Sequence, residues 1–363
     1  MANYVYKSHL FYGFVGKGWK RLTIIPNVTG ATVSFVASPK AVIGNSVWVP
    51  AGTSVTYRVS ANGYIGGQNT IVLNSSQDIA VQLLPGYVML GNQSLAAVSK
   101  DNGMAWTTAA IGGSSNAYGI AYNNGHFLGV VDNGTFMSVD GENWVKTNSY
   151  SGASARVIDN RIFVPGYGYV MIYGGESTIY SKTNSNIYWS SIAYSASTYV
   201  LVGTSGLSGA IAYSSSAATN TWTTISVGTS DWNDIIYKNN KFIAVGANGS
   251  LGVSEDGVTW TTSVLGTGSE FWRRIIYGNS EYVVIGDYES SGNTYGVAAV
   301  SSDGENWTLD QIASDHLSDI TYAQGQYTIA SVGKVLVSDD ASTWTSINAG
   351  ESNSVWKTIT YSM

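Results

Sequence analysis

The segment WNDIIYKNNKFIAVGANGSLGVSEDGVTWTTSV, residues 232–264, decides the fold. It reads as four short strands, WNDIIY, FIAVG, LGVS and TWTTSV, separated by the turns KNNK, ANGS and EDGV. Short strands joined by Asn-Gly and Asp-Gly turns are typical of tight antiparallel hairpins. A single sheet of this size cannot bury both of its faces, so the segment predicts one unit of a stacked, repeated β architecture.

Two phrases of this segment recur along the chain. A turn ending in Trp is repeated, and its copies end at Trp106, Trp144, Trp222, Trp260, Trp307 and Trp344. Between these turns the pattern Ile-x-Tyr recurs, at Ile120/Tyr122, Ile192/Tyr194, Ile235/Tyr237, Ile275/Tyr277, Ile320/Tyr322 and Ile359/Tyr361. One further copy is degraded, with its strand phrase near Val157–Asp159 and its turn reduced to SKTNSN after Ser181. Seven units result, mostly about 38 residues long, the length of a four-stranded propeller blade.

The two ends of the repeat complement each other. The sequence finishes on WKTITYSM (356–363), an inner strand with no blade after it, whereas the first unit (86–106) has no inner strand. We therefore expect the last strand to complete the first blade, because this pairs edges that would otherwise be exposed. The predicted fold class is all-β: a seven-bladed β-propeller with terminal-strand ring closure, preceded by a small β-sandwich module.

The Trp-ending turns resemble the Asp-box (BNR-type) repeat of sialidase-like propellers, S-x-D-x-G-x-T-W. The first turn has this spacing, and most others are one residue shorter. The resemblance implies a structural role, in which the Asp accepts backbone N–H bonds and the Trp fills the gap between sheets. It covers about residues 86–363 and indicates fold rather than function. The residues given this role are Ser99, Asp101, Trp106, Ser138, Asp140, Trp144, Ser254, Asp256, Trp260, Ser301, Asp303, Trp307, Ser338, Asp340 and Trp344.

Charge divides the chain into two modules. Residues 1–85 carry six basic residues and one acidic residue, a net charge of +5, whereas the remainder carries 11 basic and 22 acidic residues. The basic residues are scattered, so no nucleic-acid partner is expected. There are no cysteines, which leaves no disulfide or thiolate metal site. The first residues lack the features of a signal peptide, and no apolar run is long enough for a membrane span.

The basic part is expected to be a separate attachment module. Residues 28–85 contain short alternating strands and turns such as PAGT and ANGY, and resemble PEGA-like or Ig-like β modules. Residues 1–27, which include His9, are either an N-terminal arm that docks on a partner or the first strands of the same module. Pro85-Gly86 marks the boundary with the propeller, residues 86–363.

Catalysis is not expected, because the inventory of residues does not fit. Sialidase-like enzymes hold a substrate carboxylate with three arginines, and the propeller offers Arg156, Arg161 and the adjacent pair Arg273 and Arg274. Neighbours on a strand point to opposite faces, so this pair should not converge. The propeller has two histidines, in different blades, and no metal or other cofactor is predicted. A pair of carboxylates from separate blades, as in other glycosidases, stays an alternative.

Aromatic residues supply the predicted ligand contacts. A Trp three residues before the Ile-x-Tyr phrase recurs as Trp189, Trp232, Trp272 and Trp356, and either packs between blades or binds a ligand. Long loops on the same face, at residues 166–176, 204–209 and 287–295, add further aromatic side chains. These are Tyr167, Tyr169, Tyr288 and Tyr295. Aromatic rings beside small polar residues suit sugars, and the same composition suits an adaptable protein-binding surface.

This combination resembles a bacteriophage virion protein of the tail-fibre, receptor-binding or decoration type. The resemblance implies a non-enzymatic protein of the virion, made in the host cytoplasm. Its N-terminal module would bind other virion proteins, and the loop-rich face of its propeller would recognise a host-surface glycan or protein. Two alternatives stay open: a capsid or tail decoration protein, and a glycan-degrading depolymerase. A homo-oligomer is also compatible with the sequence.

Overall fold

The computed structural model describes residues 18–112, 115–174, 178–183, 186–206, 208–218 and 221–362. In these ranges the chain is all-β, with no α-helix and a single 3-10 turn at Asn92–Ser94. No described helix has the length and hydropathy to cross a membrane. Of the segment 1–27 that was expected to be an arm or the first strands, residues 1–17, with His9, lie outside the described residues, whereas Trp19–Pro26 is a strand of the N-terminal module.

The N-terminal strands form two sheets that share one core. One sheet has the order β3-β4-β1-β7 and the other the order β2-β5-β6. Alternate residues of both point into a common cluster that includes Leu22, Val47, Val55 and Leu73. The strands are β1 Trp19–Pro26, β2 Thr32–Val36, β3 Ala41–Ile43, β4 Ser46–Pro50, β5 Thr53–Ser60, β6 Gly67–Leu73 and β7 Gln77–Val81.

The remaining strands form repeated four-stranded antiparallel sheets, as in a β-propeller. Within the described ranges there are seven of them, here called sheets 1 to 7. Sheet 1 contains β8 Tyr87–Gly91, β9 Leu95–Ser99, β10 Thr107–Ala110 and β35 Trp356–Tyr361. Sheets 2 to 4 contain β11 Ala117–Asn123, β12 His126–Val131, β13 Gly134–Ser138, β14 Val145–Asn148; β15 Arg156–Ile158, β16 Arg161–Pro165, β17 Tyr169–Tyr173, β18 Thr178–Lys182; and β19 Tyr188–Tyr194, β20 Tyr199–Thr204, β21 Gly209–Ser214, β22 Thr223–Ser226. Sheets 5 to 7 contain β23 Trp232–Lys238, β24 Lys241–Gly246, β25 Ser250–Ser254, β26 Thr261–Val264; β27 Phe271–Gly278, β28 Glu281–Ser290, β29 Asn293–Ser301, β30 Thr308–Ala313; and β31 Asp319–Ala323, β32 Gln326–Ala330, β33 Lys334–Ser338, β34 Thr345–Asn348.

The two ends of this part of the chain meet in sheet 1. The last strand, β35, pairs antiparallel with β8, from Trp356 opposite Gly91 to Tyr361 opposite Tyr87. Each inner strand contacts the inner strand of the next sheet, in the closed order β35, β11, β15, β19, β23, β27, β31 and back to β35. The inner strands therefore line a central channel.

Sheet 3 corrects two details of the sequence interpretation. Residues 166–176 were expected to form a long loop, but Tyr169–Tyr173 is strand β17 and only Gly166–Gly168 connects it to β16. The degraded turn was placed after Ser181, yet Ser181 lies within β18 and accepts a hydrogen bond from the indole N–H of Trp222 at 3.0 Å. The error arose because sheet 3 lacks the Trp-ending turn that sets the register in the other sheets.

The two faces of the ring are distinguished by its loops. On the first face, second-to-third-strand loops bond to the linkers that enter the inner strands, for example Gly249 N–H to Glu270 O at 2.7 Å. On the opposite face the N-terminal module packs against sheet 2. There the Tyr122 hydroxyl bonds to the carbonyl oxygens of Ala61 and Tyr64, at 2.8 and 2.9 Å. The N-terminal module thus sits away from the face on which the inner strands begin.

Candidate binding site at the channel mouth

A bulge at the start of the inner strands shapes the mouth of the channel. In β27 the pairing with β28 shifts register between Trp272 and Arg274, which leaves Arg273 as an extra residue. The same shift follows Trp189, Trp232 and Trp356. Because a bulge sets two residues against one on the partner strand, two successive side chains can turn to the same side. Arg273 and Arg274 accordingly line the same cavity, so the expectation that they cannot converge was wrong.

This cavity has a volume of about 210 Å³ and draws on all seven sheets. Each sheet contributes residues at or just before the start of its inner strand. The lining residues are Ala117, Tyr118, Ala153, Ser190, Asn233, Phe271, Arg273, Arg274, Ser318 and Lys357. The small and amide side chains leave room at the mouth. The three cations give it positive charge, and the two aromatic rings give it flat apolar surfaces.

A belt of ion pairs closes the channel below the mouth. Arg156 Nη2 lies 2.5 Å from Asp234 Oδ1, and Arg274 Nε lies 3.2 Å from Asp319 Oδ1. Both carboxylates also bond to the next inner strand: Asp234 accepts from Ile275 N–H at 3.0 Å and Asp319 from Thr358 Oγ1 at 2.7 Å. The belt therefore adds ionic links to the packing and hydrogen bonds that join the sheets.

The electrostatics of the belt favour a charged carboxylate at Asp234. Burial alone would raise the pKa of Asp234, whose side chain is 0% exposed. The positive charges of Arg156 and Arg274 and the Ile275 N–H outweigh it and hold this pKa below its ordinary value. A carboxylate held ionised in this way has no proton to donate as a general acid near neutral pH.

A second ion-pair group lies at the rim of the mouth. Arg273 binds buried Asp287 with two hydrogen bonds, Nε to Oδ2 at 2.7 Å and Nη2 to Oδ1 at 3.1 Å. His316 Nδ1 is 3.2 Å from the same carboxylate. Lys357, partly buried nearby, has no ion-pair partner within the described ranges. Burial and the neighbouring Arg273 lower the pKa of Lys357, against the opposing pull of Asp287.

Exposed aromatic rings surround this rim. Phe271 and Tyr118, 38% and 37% exposed, line the cavity itself, and the Arg273 guanidinium lies 4.8 Å from the Phe271 ring centroid. Tyr167 and Tyr188, also exposed, form a bridge between the loop after β16 and the start of β19. The Tyr118 hydroxyl donates to Asp132, and this bond raises the pKa of Tyr118 to about 12. Tyr118 is therefore a neutral ring at physiological pH.

The repeated tryptophans do not belong to this surface. Trp189, Trp232, Trp272 and Trp356 are at most 1% exposed and pack between consecutive sheets. Their indole N–H groups bond internally, for example Trp272 to Leu265 O at 3.0 Å. None of the four presents a ring face to solvent, which corrects the ligand-contact prediction and leaves the packing alternative.

The predicted tyrosines lie in different settings. Tyr167 is 59% exposed, as expected of a ligand contact, whereas Tyr169 is half-buried in β17 against Tyr150, with ring centroids 4.6 Å apart. Tyr288 and Tyr295 stack across β28 and β29, with ring centroids 5.1 Å apart. Residues 287–295 are therefore an extended hairpin that rises from the mouth face. Of the loop at 204–209, residue 207 lies outside the described residues.

The Ser-x-Asp turns stabilise the hairpins at the opposite end of the sheets. In one of them Asp256 Oδ1 accepts the N–H groups of Val258 and Thr259 at 2.8 and 2.7 Å, and Ser254 Oγ accepts from Gly257 N–H at 2.8 Å. Backbone bonds of this kind lower the pKa of Asp256 to about 2. In four turns the Trp indole bonds to a carbonyl oxygen inside the turn, at Trp106, Trp144, Trp260 and Trp344. Each turn thus supplies most of its own hydrogen-bond partners.

The rest of the channel is wider. A cavity of about 550 Å³ opens toward the opposite face and is lined by the Ile-x-Tyr phrases of four sheets, including Ile236, Ile276, Tyr237 and Tyr277, and by the degraded phrase of sheet 3. In the described ranges no group of three or more His, Cys, Asp or Glu side chains is placed to hold a metal ion. The mouth combines charged side chains with aromatic rings that are more than a third exposed.

Sequence reasoning missed most of this site. Arg273 was set aside by the alternation argument, and Lys357, Phe271 and Asp287 were not selected. The sequence did contain one indication of this site. The two residues between each repeated Trp and the following Ile differ from sheet to sheet, while the Trp and the Ile are kept. Variable residues in a constant frame mark the part of a repeat that faces the axis.

Comparisons with known proteins identify the fold class of the chain and do not identify a family. No protein-family model matches the sequence, and no curated protein matches it. YCF48 bound to a D1 peptide is similar in structure, with a TM-score of 0.54, 14% identity, and coverage of 68% of this chain and 85% of that chain. The WD40 propeller of Doa1 has a TM-score of 0.52 at 9% identity, covering 68% of this chain and 86% of that chain. A quinonprotein alcohol dehydrogenase-like protein from Bacteroides thetaiotaomicron has a TM-score of 0.53 at 11% identity, covering 94% and 96%. The chain has a multi-bladed β-propeller-like fold.

Proposed function

We propose that this protein is a non-enzymatic recognition module that binds a host-surface glycan through the mouth face of its propeller. The observation that carries the proposal is the mouth itself, where exposed rings of Phe271 and Tyr118 flank a small polar cavity lined by cations. Aromatic faces beside convergent polar groups suit sugar rings, whose C–H faces pack on them while hydroxyls hydrogen-bond. Asp234, Asp287 and Asp319 are held in ion pairs with arginines, which favours binding over catalysis.

The position of the N-terminal module supports this division of roles. It packs against sheet 2 through the Tyr122 hydroxyl and through Ile65, which joins the core of sheets 1 and 2. That contact lies at the opposite ends of the inner strands from Arg273 and Lys357. A protein attached through its N-terminal module would therefore present the mouth outward.

The finer parts of the proposal rest on the repeat and on resemblance. The closed series of inner strands and the pairing of β35 with β8 favour a seven-bladed ring. The bonding of Asp256 and its counterparts favours an Asp-box type of repeat, and the shared core of the two N-terminal sheets favours a small Ig-like sandwich. Assignment to a bacteriophage virion, made in the host cytoplasm, rests on the overall resemblance.

A decoration role is a second candidate, favoured by the surface of the N-terminal module. Its strands expose several large apolar side chains on both of its sheets, and these are available for contact with a partner. They are Ile25, Val36, Val42, Ile43 and Val72, each at least 45% exposed. Such a surface suits attachment to other virion subunits, and attachment alone would define a decoration protein.

Binding by the intact chain separates these roles. The full chain is incubated with host cells and with their extracted surface polysaccharide, and the size of the polymer is checked afterwards. We expect binding without shortening, and we expect Phe271→Ala and the double variant Tyr288→Ala, Tyr295→Ala to weaken it at least about tenfold. Tyr180→Ala, an exposed ring on the outermost strand of sheet 3, is the matched control. Binding only to particles that lack the protein would favour decoration, and shortened polymer would establish a depolymerase.

A further inference from the structure

We infer that the channel mouth takes an acidic sugar, with the ammonium group of Lys357 binding the sugar carboxylate. The inference rests on the proposed function, because it names the class of glycan for the same face. It is carried by the ion pairing in the upper channel, by the setting of Lys357 and by the size of the cavity.

Among the cations of the upper channel, only Lys357 lacks an ion-pair partner within the described residues. Four cations lie there, Arg156, Arg273, Arg274 and Lys357, and three carboxylates pair with the arginines, namely Asp234, Asp287 and Asp319. Asp132, the further acid at the rim, accepts a hydrogen bond from the Tyr118 hydroxyl, which leaves Lys357 without a carboxylate partner of its own. The carboxylate of a ligand would supply that partner.

The setting of Lys357 favours an external partner. Its side chain is half-buried, and Arg273, the neighbour across Ser318, repels it. A partly desolvated ammonium group without an ion pair loses hydration that no protein carboxylate restores. A bound carboxylate would restore it through charge-assisted hydrogen bonds, the stronger class of such bonds.

The dimensions of the cavity fit a carboxylate held at the edge of a sugar ring. A volume of about 210 Å³ accommodates the anionic group and part of one ring, and it is too small for a whole oligosaccharide. Phe271 and Tyr118 stand at the same cavity with more than a third of their surface exposed, so the ring would lie against them. The remaining sugars would extend over the mouth face toward Tyr167 and Tyr188.

The same geometry disfavours a divalent anion such as phosphate. Asp287 is buried beside the mouth and pairs with Arg273, and His316 Nδ1 lies 3.2 Å from the same carboxylate. This acid opposes a second negative charge on the ligand, while Lys357, the cation without an ion pair in the described part of the cavity, supplies one positive charge. A carboxylate is therefore preferred over a phosphate monoester.

The test uses pairs of ligands that differ only at the carboxyl group. The full chain is titrated by calorimetry with methyl β-D-glucuronide and methyl β-D-glucoside, and with the methyl glycoside of N-acetylneuraminic acid and its carboxyl-reduced form. We expect at least one acid to bind at least about tenfold more tightly than its reduced counterpart. Lys357→Met should remove that difference and Lys357→Arg should keep most of it. Lys146→Met, an exposed lysine on the outermost strand of sheet 2, should change nothing.

A parallel measurement of binding to host cells separates failure of the acidic-sugar inference from failure of the proposed function. Cells that bind the chain equally well before and after carboxyl reduction of their polysaccharide would overturn the acidic-sugar inference and leave the proposed function intact. Failure of both acids to bind a chain that adheres to cells would do the same. A chain that binds neither cells nor any of the four glycosides would overturn both.

Discussion

Two single carboxylates, Asp234 and Asp319, each connect inner strands of different sheets by ion pairs and hydrogen bonds. Asp234 is fully buried, yet it meets an arginine from sheet 3 and a backbone N–H from sheet 6. Among the residues that directly precede the Ile of each Ile-x-Tyr phrase, only those at 234 and 319 are Asp. The ion pairs of the belt are therefore irregular, whereas the Ile-x-Tyr phrase itself repeats regularly. A buried ion pair adds little to the free energy of unfolding compared with apolar residues of the same volume. Removing one partner, however, strongly destabilises the fold, because the other charge is left buried and unpaired.

Replacing Asp234 tests this at the level of one residue. Asp234→Asn leaves Arg156 without a counter-charge inside the channel, and we expect a loss of about 2–3 kcal/mol in the free energy of unfolding, measured with urea. Adding Arg156→Met should recover part of the loss because the uncompensated charge is then gone. Strictly additive effects of the two changes would contradict a direct pairing, and Asp310→Asn, an exposed position, should stay within about 0.5 kcal/mol of the parent.

At the scale of the element, each Ser-x-Asp turn must also fit the neighbouring sheet. Gly141 has a φ of +74°, and a Cβ there would lie 2.7 Å from Val88 and 2.8 Å from Val98, both in sheet 1. Gly325 has a similar φ of +79° with nothing near its Cβ position. The two glycines therefore separate backbone strain from packing between sheets.

Alanine at these two positions should have unequal effects. Gly325→Ala incurs only the strain of a positive φ, about 1 kcal/mol. Gly141→Ala adds a clash with a close-packed neighbour, so we expect a total nearer to about 3 kcal/mol in chemical denaturation. Equal losses in the two variants would mean that the turn does not press against sheet 1.

The same turns predict how stability depends on pH. The pKa of Asp256 is about 2 in the folded chain, below its ordinary 3.8, so the unfolded chain binds more protons in acid. The stabilisation is complete above about pH 4 and is lost as the pH falls toward about 2. Thermal unfolding followed across this range should show that Asp256→Asn loses less stability than the parent. If Asp256→Asn and Asp310→Asn both follow the parent curve, the turn carboxylate contributes nothing.

The elements also show how far the sequence could lead. The spacing of Trp and Ile-x-Tyr predicted the four-stranded sheets and their turns, because each sheet repeats the same hairpin requirements. It could not predict the bulge after Trp272, since a bulge depends on how the start of the strand meets the linker loop. The side chains of Arg273 and Arg274 therefore came together where strict alternation would separate them. The burial of the four repeated tryptophans could not be predicted either, because the sequence shows how often they recur but not the direction in which their side chains point.

For the whole molecule, the decisive contact is between its two ends. Strand β35 supplies the inner strand of sheet 1, and Trp356 fills the space between sheets 7 and 1. A ring joined by non-local pairing in this way should unfold as a unit, because opening it exposes the edges of two sheets.

Truncation tests the closure. A chain that ends at Val355 lacks β35, and we expect it to lose its cooperative thermal transition and to bind a hydrophobic dye. Deletion of residue 363 alone is the control and should retain the transition. Cooperative unfolding of the shorter chain would show that β35 is dispensable.

Under the proposed function, the mouth face of the ring meets the glycan, and the N-terminal module on the other face attaches the protein. Hydrogen–deuterium exchange of the full chain, with and without the extracted host polysaccharide, measures this most directly. We predict that the polysaccharide slows exchange at 117–118, 271–274 and 356–358, around the mouth, and leaves residues 18–85 unchanged. Slowed exchange confined to the N-terminal module, or no change in a chain that binds the polymer, would contradict recognition through the channel mouth.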